Sequence, residues 1–180
     1  MKTKTMSTAS GAHSLKIITL VVLLLTVILG GYLLNSFVML KIREYDTGEI
    51  LYQKVLKIGE PFTLEYIHSV TKQPVYEVFY VQDRDTLAIK EMRYDSFGAN
   101  LPVGPEKLKD EKTNFIVEDG YYKITYEPDR SFEIVPLRVG QVVANHTLVF
   151  EDGERLAFLD VAEGGAYVQF YVTTLLGELF

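Results

Sequence analysis

The chain has 180 residues, room for one ordinary domain and an appendage. Hydrophobic residues make up 48%, with 12 Tyr and 10 Phe able to fill a core. The absence of cysteine excludes a disulfide framework, a cysteine-zinc site, a thiol nucleophile and a lipidated-cysteine anchor. All 24 acidic residues lie beyond position 43, so 41–180 carries 15 basic side chains against 24 acidic ones, a formal charge of −9. Such a surface repels phosphate backbones and argues against nucleic-acid binding. Solubility is its plain reading, and attraction of cationic partners its functional one.

Residues 1–16 form a short tail with Lys2, Lys4 and Lys16. From Ile17 to Leu40 there are 24 residues without an ionisable side chain. As a helix they would reach about 36 Å, enough for a bilayer core of about 30 Å with some tilt. No Ala-x-Ala cleavage pattern follows, and a soluble core helix of this length would need a polar face. Residues 17–40 therefore read as an uncleaved transmembrane anchor. Lys41 and Arg43 follow the span closely, so the positive-inside rule gives no clear orientation. A short basic tail before a long acidic domain favours an N-terminus inside the cytoplasmic membrane, with 41–180 on the outer side.

After Leu40 the pattern turns to short strands. Val38–Tyr45 and Glu49–Ile58 flank the hairpin turn Asp46-Thr47-Gly48. That tripeptide also occurs in aspartic proteases, but one copy lacks the second carboxylate the chemistry needs. Phe62–Ile67, Val75–Val81 and Thr86–Tyr94 follow, then a charged, proline-containing loop from Leu101 to Thr113. Tyr121–Tyr126, Ser131–Leu137, His146–Phe150, Arg155–Val161 and Ala166–Thr173 complete the strands. About ten strands at this spacing predict a mainly β domain, an antiparallel sandwich or barrel, over 41–180. Thr174–Phe180 is ambiguous.

Two segments carry candidate chemistry. In Glu65-Tyr66-Ile67-His68-Ser69-Val70, followed by Pro74-Val75-Tyr76-Glu77, a strand ends in His-Ser beside a turn. In Ser96-Phe97-Gly98-Ala99-Asn100-Leu101-Pro102, Gly98 and Asn100 tolerate positive φ and Leu101-Pro102 forces an extended exit. His68, Ser69, Glu77, Ser96, Gly98 and Asn100 are thus expected to share a binding patch. A hydrolase triad of His68, Asp95 and Ser69 or Ser96 is allowed by residue type, but neither serine sits in a nucleophile elbow. A metal site from His68, His146, Glu65, Glu77 or Asp95 lacks ligand spacing. No catalytic residue, metal or cofactor is therefore expected.

Together, His68-Ser69-Val70…Pro74-Val75…Glu77 and Ser96-Phe97-Gly98-Ala99…Leu101-Pro102 resemble the bacterial family called domain of unknown function 1850. Arg138-Val139-Gly140…Asn145-His146-Thr147-Leu148 resembles its C-terminal half, so the likeness covers roughly 42–172. Thr71 stands where the family pattern has an acidic residue, and Asn100 where it has Gly. The resemblance implies a context beside, or fused to, permeases of the TAXI subclass of TRAP transporters, which work with an extracytoplasmic solute-binding protein. A non-enzymatic accessory subunit, touching the permease and its TAXI solute-binding protein, is the leading expectation. A small-ligand or metal sensor is the alternative, and an anchored hydrolase comes third.

Overall fold

A computed structural model describes residues 9–107, 111–141 and 143–175. The chain divides into two compact units, 1–36 and 37–180. The first contains helix α1, Ala9–Ser36. Its stretch Ser14–Ser36 is long and apolar enough to cross a membrane. Leucine, isoleucine and valine are exposed all around it, so the helix has no polar face. The hydroxyls of Thr19, Thr26 and Ser36 donate to the carbonyls of Leu15, Val22 and Tyr32 at 3.0, 2.8 and 2.8 Å. These three hydroxyls are thereby satisfied within the helix, as an apolar surrounding demands.

The described strands of the second unit are β1 (Phe37–Glu44), β2 (Ile50–Lys57), β3 (Pro61–Ile67), β4 (Pro74–Val81), β5 (Leu87–Tyr94), β6 (Lys112–Glu118), β7 (Tyr121–Phe132), β8 (Val135–Arg138), β9 (Thr147–Phe150), β10 (Arg155–Ala157) and β11 (Tyr167–Thr174). They form two antiparallel sheets, β2-β1-β11-β8 and β10-β9-β3-β4-β5-β7-β6. The domain is an open sandwich; neither sheet closes into a barrel. Val38, Leu40 and Ile42 on β1, with Val168, Phe170 and Val172 on β11, line the inner face of the smaller sheet. Phe170 reaches Phe79 and Phe62 of the larger sheet at ring distances of 5.6 and 6.3 Å, edge to face. This aromatic contact couples the two layers.

Four boundaries differ from the sequence expectation. The apolar run extends to Leu40, but α1 ends at Ser36 and residues 37–40 belong to β1. Val38 and Leu40 are fully buried in the sandwich, so their hydrophobicity serves the sheet. β6 begins within the expected 101–113 loop, of which 108–110 lie outside the described residues. It is an edge strand with Ile116 and Val117 exposed, so the inside-outside alternation that betrays a strand is weak there. β7 runs through Pro128, where a break was expected. Its register against β5 shifts between Ile89 and Glu91, and proline is tolerated at such an irregularity because no ladder N–H is required. The second half of the expected strand 155–161 is instead a 3-10 turn, Phe158–Asp160. Residues 176–180 of the ambiguous C-terminal segment lie outside the described residues.

Leu40→Ala is expected to destabilise the β domain by about 2–5 kcal/mol, the cost of emptying a buried leucine site. Leu25→Ala on α1 should leave that transition unchanged. Urea unfolding of the full chain in detergent, followed by circular dichroism, separates strand from anchor at this boundary.

Candidate functional site

β3 ends at Ile67, and the following turn is organised by His68, which is 8% exposed. The His68 N–H donates to the Gln73 carbonyl at 2.9 Å, and its own carbonyl accepts the Lys72 N–H at 2.9 Å. The ring closes the turn from inside. Nδ1 faces the backbone N–H groups of Val70 and Thr71 at 3.3 and 3.2 Å, so it accepts. Its proton therefore resides on Nε2, which donates to the Ala99 carbonyl at 2.9 Å. One histidine ties the turn after β3 to the loop after β5.

That loop is shaped to meet it. A Cβ on Gly98 would lie 2.7 Å from His68 Cε1 and 3.0 Å from Thr71 Cγ2, so only glycine lets the backbone come this close. Asn100 takes φ 66°, and the Leu101 N–H returns to the Gly98 carbonyl at 3.1 Å. Leu101 is carried into the core, and the Pro102 carbonyl accepts the buried Tyr94 hydroxyl. Phe97 stays partly exposed and stacks on Tyr122 with centroids 4.2 Å apart. Thr71 Oγ1 and Asp95 Oδ1 are enclosed without a hydrogen-bond partner.

The six expected patch residues do not form one cluster. His68, Ser69 and Asn100 line a hollow of about 280 Å³ with Tyr66, Leu101 and His146, and Gly98 packs on the His68 ring. Ser69 is exposed, with its carbonyl bonded by Lys72 Nζ at 2.6 Å. Ser96 is half-buried and lines none of the hollows described here. Neither serine pairs with His68, whose ring nitrogens are both engaged by backbone. No group of three His, Asp or Glu side chains among the described residues is arranged to hold a metal ion.

Glu77 stands apart from the loops. On β4 it lies between Val75 and Phe79, both buried, so the alternation turns its carboxylate towards the interior. Its Oε1 accepts the Tyr66 hydroxyl at 3.0 Å. Burial pushes the Glu77 carboxyl above its ordinary value, and the Tyr66 bond offsets this only in part. The Tyr66 phenol is raised in turn, first by burial and then by the Glu77 charge. Burial also raises Tyr126, with a contribution from Glu77, and lowers His146. His146 Nδ1 accepts the Gly140 N–H at 3.1 Å, and its ring packs 5.2 Å from that of Tyr66.

A second hollow of about 330 Å³ is lined by Met92, Asn100, Leu101, Glu106, Tyr126 and Arg130, among others. The Arg130 guanidinium lies 4.5 Å over the Tyr126 ring and is held by Glu111 through bonds of 2.9 and 2.5 Å. Sequence reasoning missed Tyr126 and Arg130, which reach the site from a strand distant in sequence. Tyr66 had a readable signal, since it continues the alternation of Phe62 and Leu64 into the His68 turn.

Residues 62–156, more than half of the chain, match the family described as Domain of unknown function (DUF1850). The chain belongs to this family. The DUF1850 segment opens on β3 and ends on β10, so it contains both loops and Glu77. No curated protein and no solved structure matches the chain.

Two outcomes test this description. Gly98→Ala should cost about 1–3 kcal/mol, because an overpacked Cβ must displace the His68 ring; the shift in urea midpoint measures it. For Glu77, the folded chain keeps its proton to higher pH than the unfolded chain does. Stability is therefore lost as pH rises from the ordinary carboxyl value of 4.5 through the raised folded value, and this loss is absent below 4.5. Glu77→Gln should gain Tm relative to the unchanged protein across that window and level off above it. A Tm offset independent of pH would show that Glu77 does not titrate there.

Proposed function

We propose that this protein is a single-pass, membrane-anchored accessory subunit of a TAXI-type TRAP solute transporter, without enzymatic activity of its own. Its β domain stands on the outer side of the cytoplasmic membrane, where permease and solute-binding protein meet. The observation that carries this reading is the joining of two parts in one chain: a helix long and apolar enough to span a bilayer, and a DUF1850 domain. The transporter itself enters through the family resemblance. The motif geometry supports a non-enzymatic role, since His68 spends both ring nitrogens on backbone and neither nearby serine has a base. The acidic character of 41–180 supports an aqueous, exported position for the domain.

Affinity capture of the tagged full-length protein from its native membranes in mild detergent should enrich the permease and the solute-binding protein. Recovery of neither would overturn the assignment. Protease added to intact spheroplasts should remove the β domain and spare the N-terminal tail; the reverse pattern would invert the orientation.

A further inference from the structure

The larger sheet ends at β6, and one short stretch of that edge is open. β6 leads into β7 through Asp119 and Gly120, with φ of 51° and 80°. Positive φ at both central residues makes a type I′ turn, so the flanking Glu118 and Tyr121 form a hydrogen-bonded pair. Bonded and non-bonded pairs alternate along an antiparallel ladder. Lys112, Asn114, Ile116 and Glu118 therefore direct their backbone groups at β7, while Thr113, Phe115 and Val117 direct theirs outward. Thr113 shows this parity, since its N–H leaves the sheet to donate to the Glu106 carbonyl at 2.8 Å. Among the described residues, no group meets the outward N–H and C=O of Phe115 and Val117.

The side chains of this stretch are open as well. Ile116 is 43% exposed on one face of the strand and Val117 68% exposed on the other. Phe115 shares the Val117 face, and its ring stacks on the half-exposed Phe97, which in turn lies over Tyr122. A hydrophobic edge with free backbone groups is a template for another strand. Here Glu106 closes the open stretch at Thr113, and the turn closes it at Asp119. A foreign strand of ordinary length finds only two residues to bond, whereas a second copy of the same edge matches it fully.

We propose that two copies of this chain pair antiparallel along β6, about a twofold axis at Ile116. Phe115 of each copy then stands opposite Val117 of the other, and these two bonded pairs use both free N–H and both free C=O groups of each edge. A twofold at Phe115 would need the Thr113 N–H, which Glu106 already holds, and one at Val117 would draw Asp119 of the turn into the ladder. The Ile116 register sets an aromatic ring against a β-branched side chain on one face and Ile116 against Ile116 on the other. Glu118 comes opposite Asn114 and diagonal to Lys112 of the other copy, so opposite charges fall within reach. A contact this short is weak between free molecules, and confinement of both copies to one bilayer by α1 supplies the concentration it needs. The pairing is independent of the transporter assignment.

Because the chain has no cysteine, one introduced thiol reports only on its symmetry mate. Non-bonded antiparallel pairs hold their Cα atoms about 4.5 Å apart, within disulfide range. Full-length Ile116→Cys in native membranes, treated with a mild thiol oxidant, should give a reducible dimer. It should form at least about tenfold faster than with Val70→Cys, an exposed position on the turn after β3. Adding Val117→Lys, a charge on the open edge, should cut the Ile116→Cys rate about tenfold. Equal rates at positions 116 and 70, or a rate that Val117→Lys leaves unchanged, overturns the proposal. An adduct whose mass is not that of two chains places another protein on the edge and also overturns it. If Ile116→Cys does not fold, amide exchange of the unaltered chain in proteoliposomes decides. Phe115 and Val117 should gain about tenfold protection as the protein-to-lipid ratio rises, and unchanged exchange overturns the pairing.

Discussion

The pairing of β1 with β11 closes the domain and makes the rest of it possible. Seven residue pairs, from Val38 with Thr174 to Glu44 with Val168, join the first strand of the domain to its last described one. β2 hangs on the outer edge of β1, and β8 on the outer edge of β11. Without this pairing the smaller sheet has no centre, and the inner face of the larger sheet loses its cover. Closing so long a loop is entropically slow, since the contacts that reward it form only when distant segments meet. The six inner side chains of β1 and β11, with Phe170 against Phe79 and Phe62, supply the apolar burial that rewards it.

Within that frame the two DUF1850 motifs divide their labour. His68 and Gly98 fasten two loops together, and their polar atoms are consumed by backbone. Glu77, from the same motif, points inward from β4 and is met by the Tyr66 hydroxyl. Residue type alone would rank His68 as the chemical centre. Hydrogen-bond accounting reverses the order, because a group whose capacity is filled by the fold has little left to offer a ligand.

Sequence pattern revealed the β class, most strand positions and the Asp46-Thr47-Gly48 hairpin, where turn chemistry and alternation agree. It extended the anchor through Leu40 because a membrane helix and a buried strand use the same apolar residues, and composition does not mark the change of period. It missed β6 because an edge strand with exposed Ile116 and Val117 lacks a one-sided pattern. The inward direction of Glu77 was readable from the phase of Val75 and Phe79. Its company was not: Tyr126 and Arg130 arrive through strand pairings distant in sequence. The close fit of Gly98 to His68 likewise depends on a tertiary contact, which local turn preference does not encode.

The Val38–Thr174 pair has an architectural consequence. It sets the start of the domain's first strand and the end of its last described strand side by side, across one rung of a ladder. A unit with adjacent entry and exit can be spliced into a loop of a host protein, or appended to one, while its strand order stays intact. Such a domain is portable: it can change carriers without changing its fold.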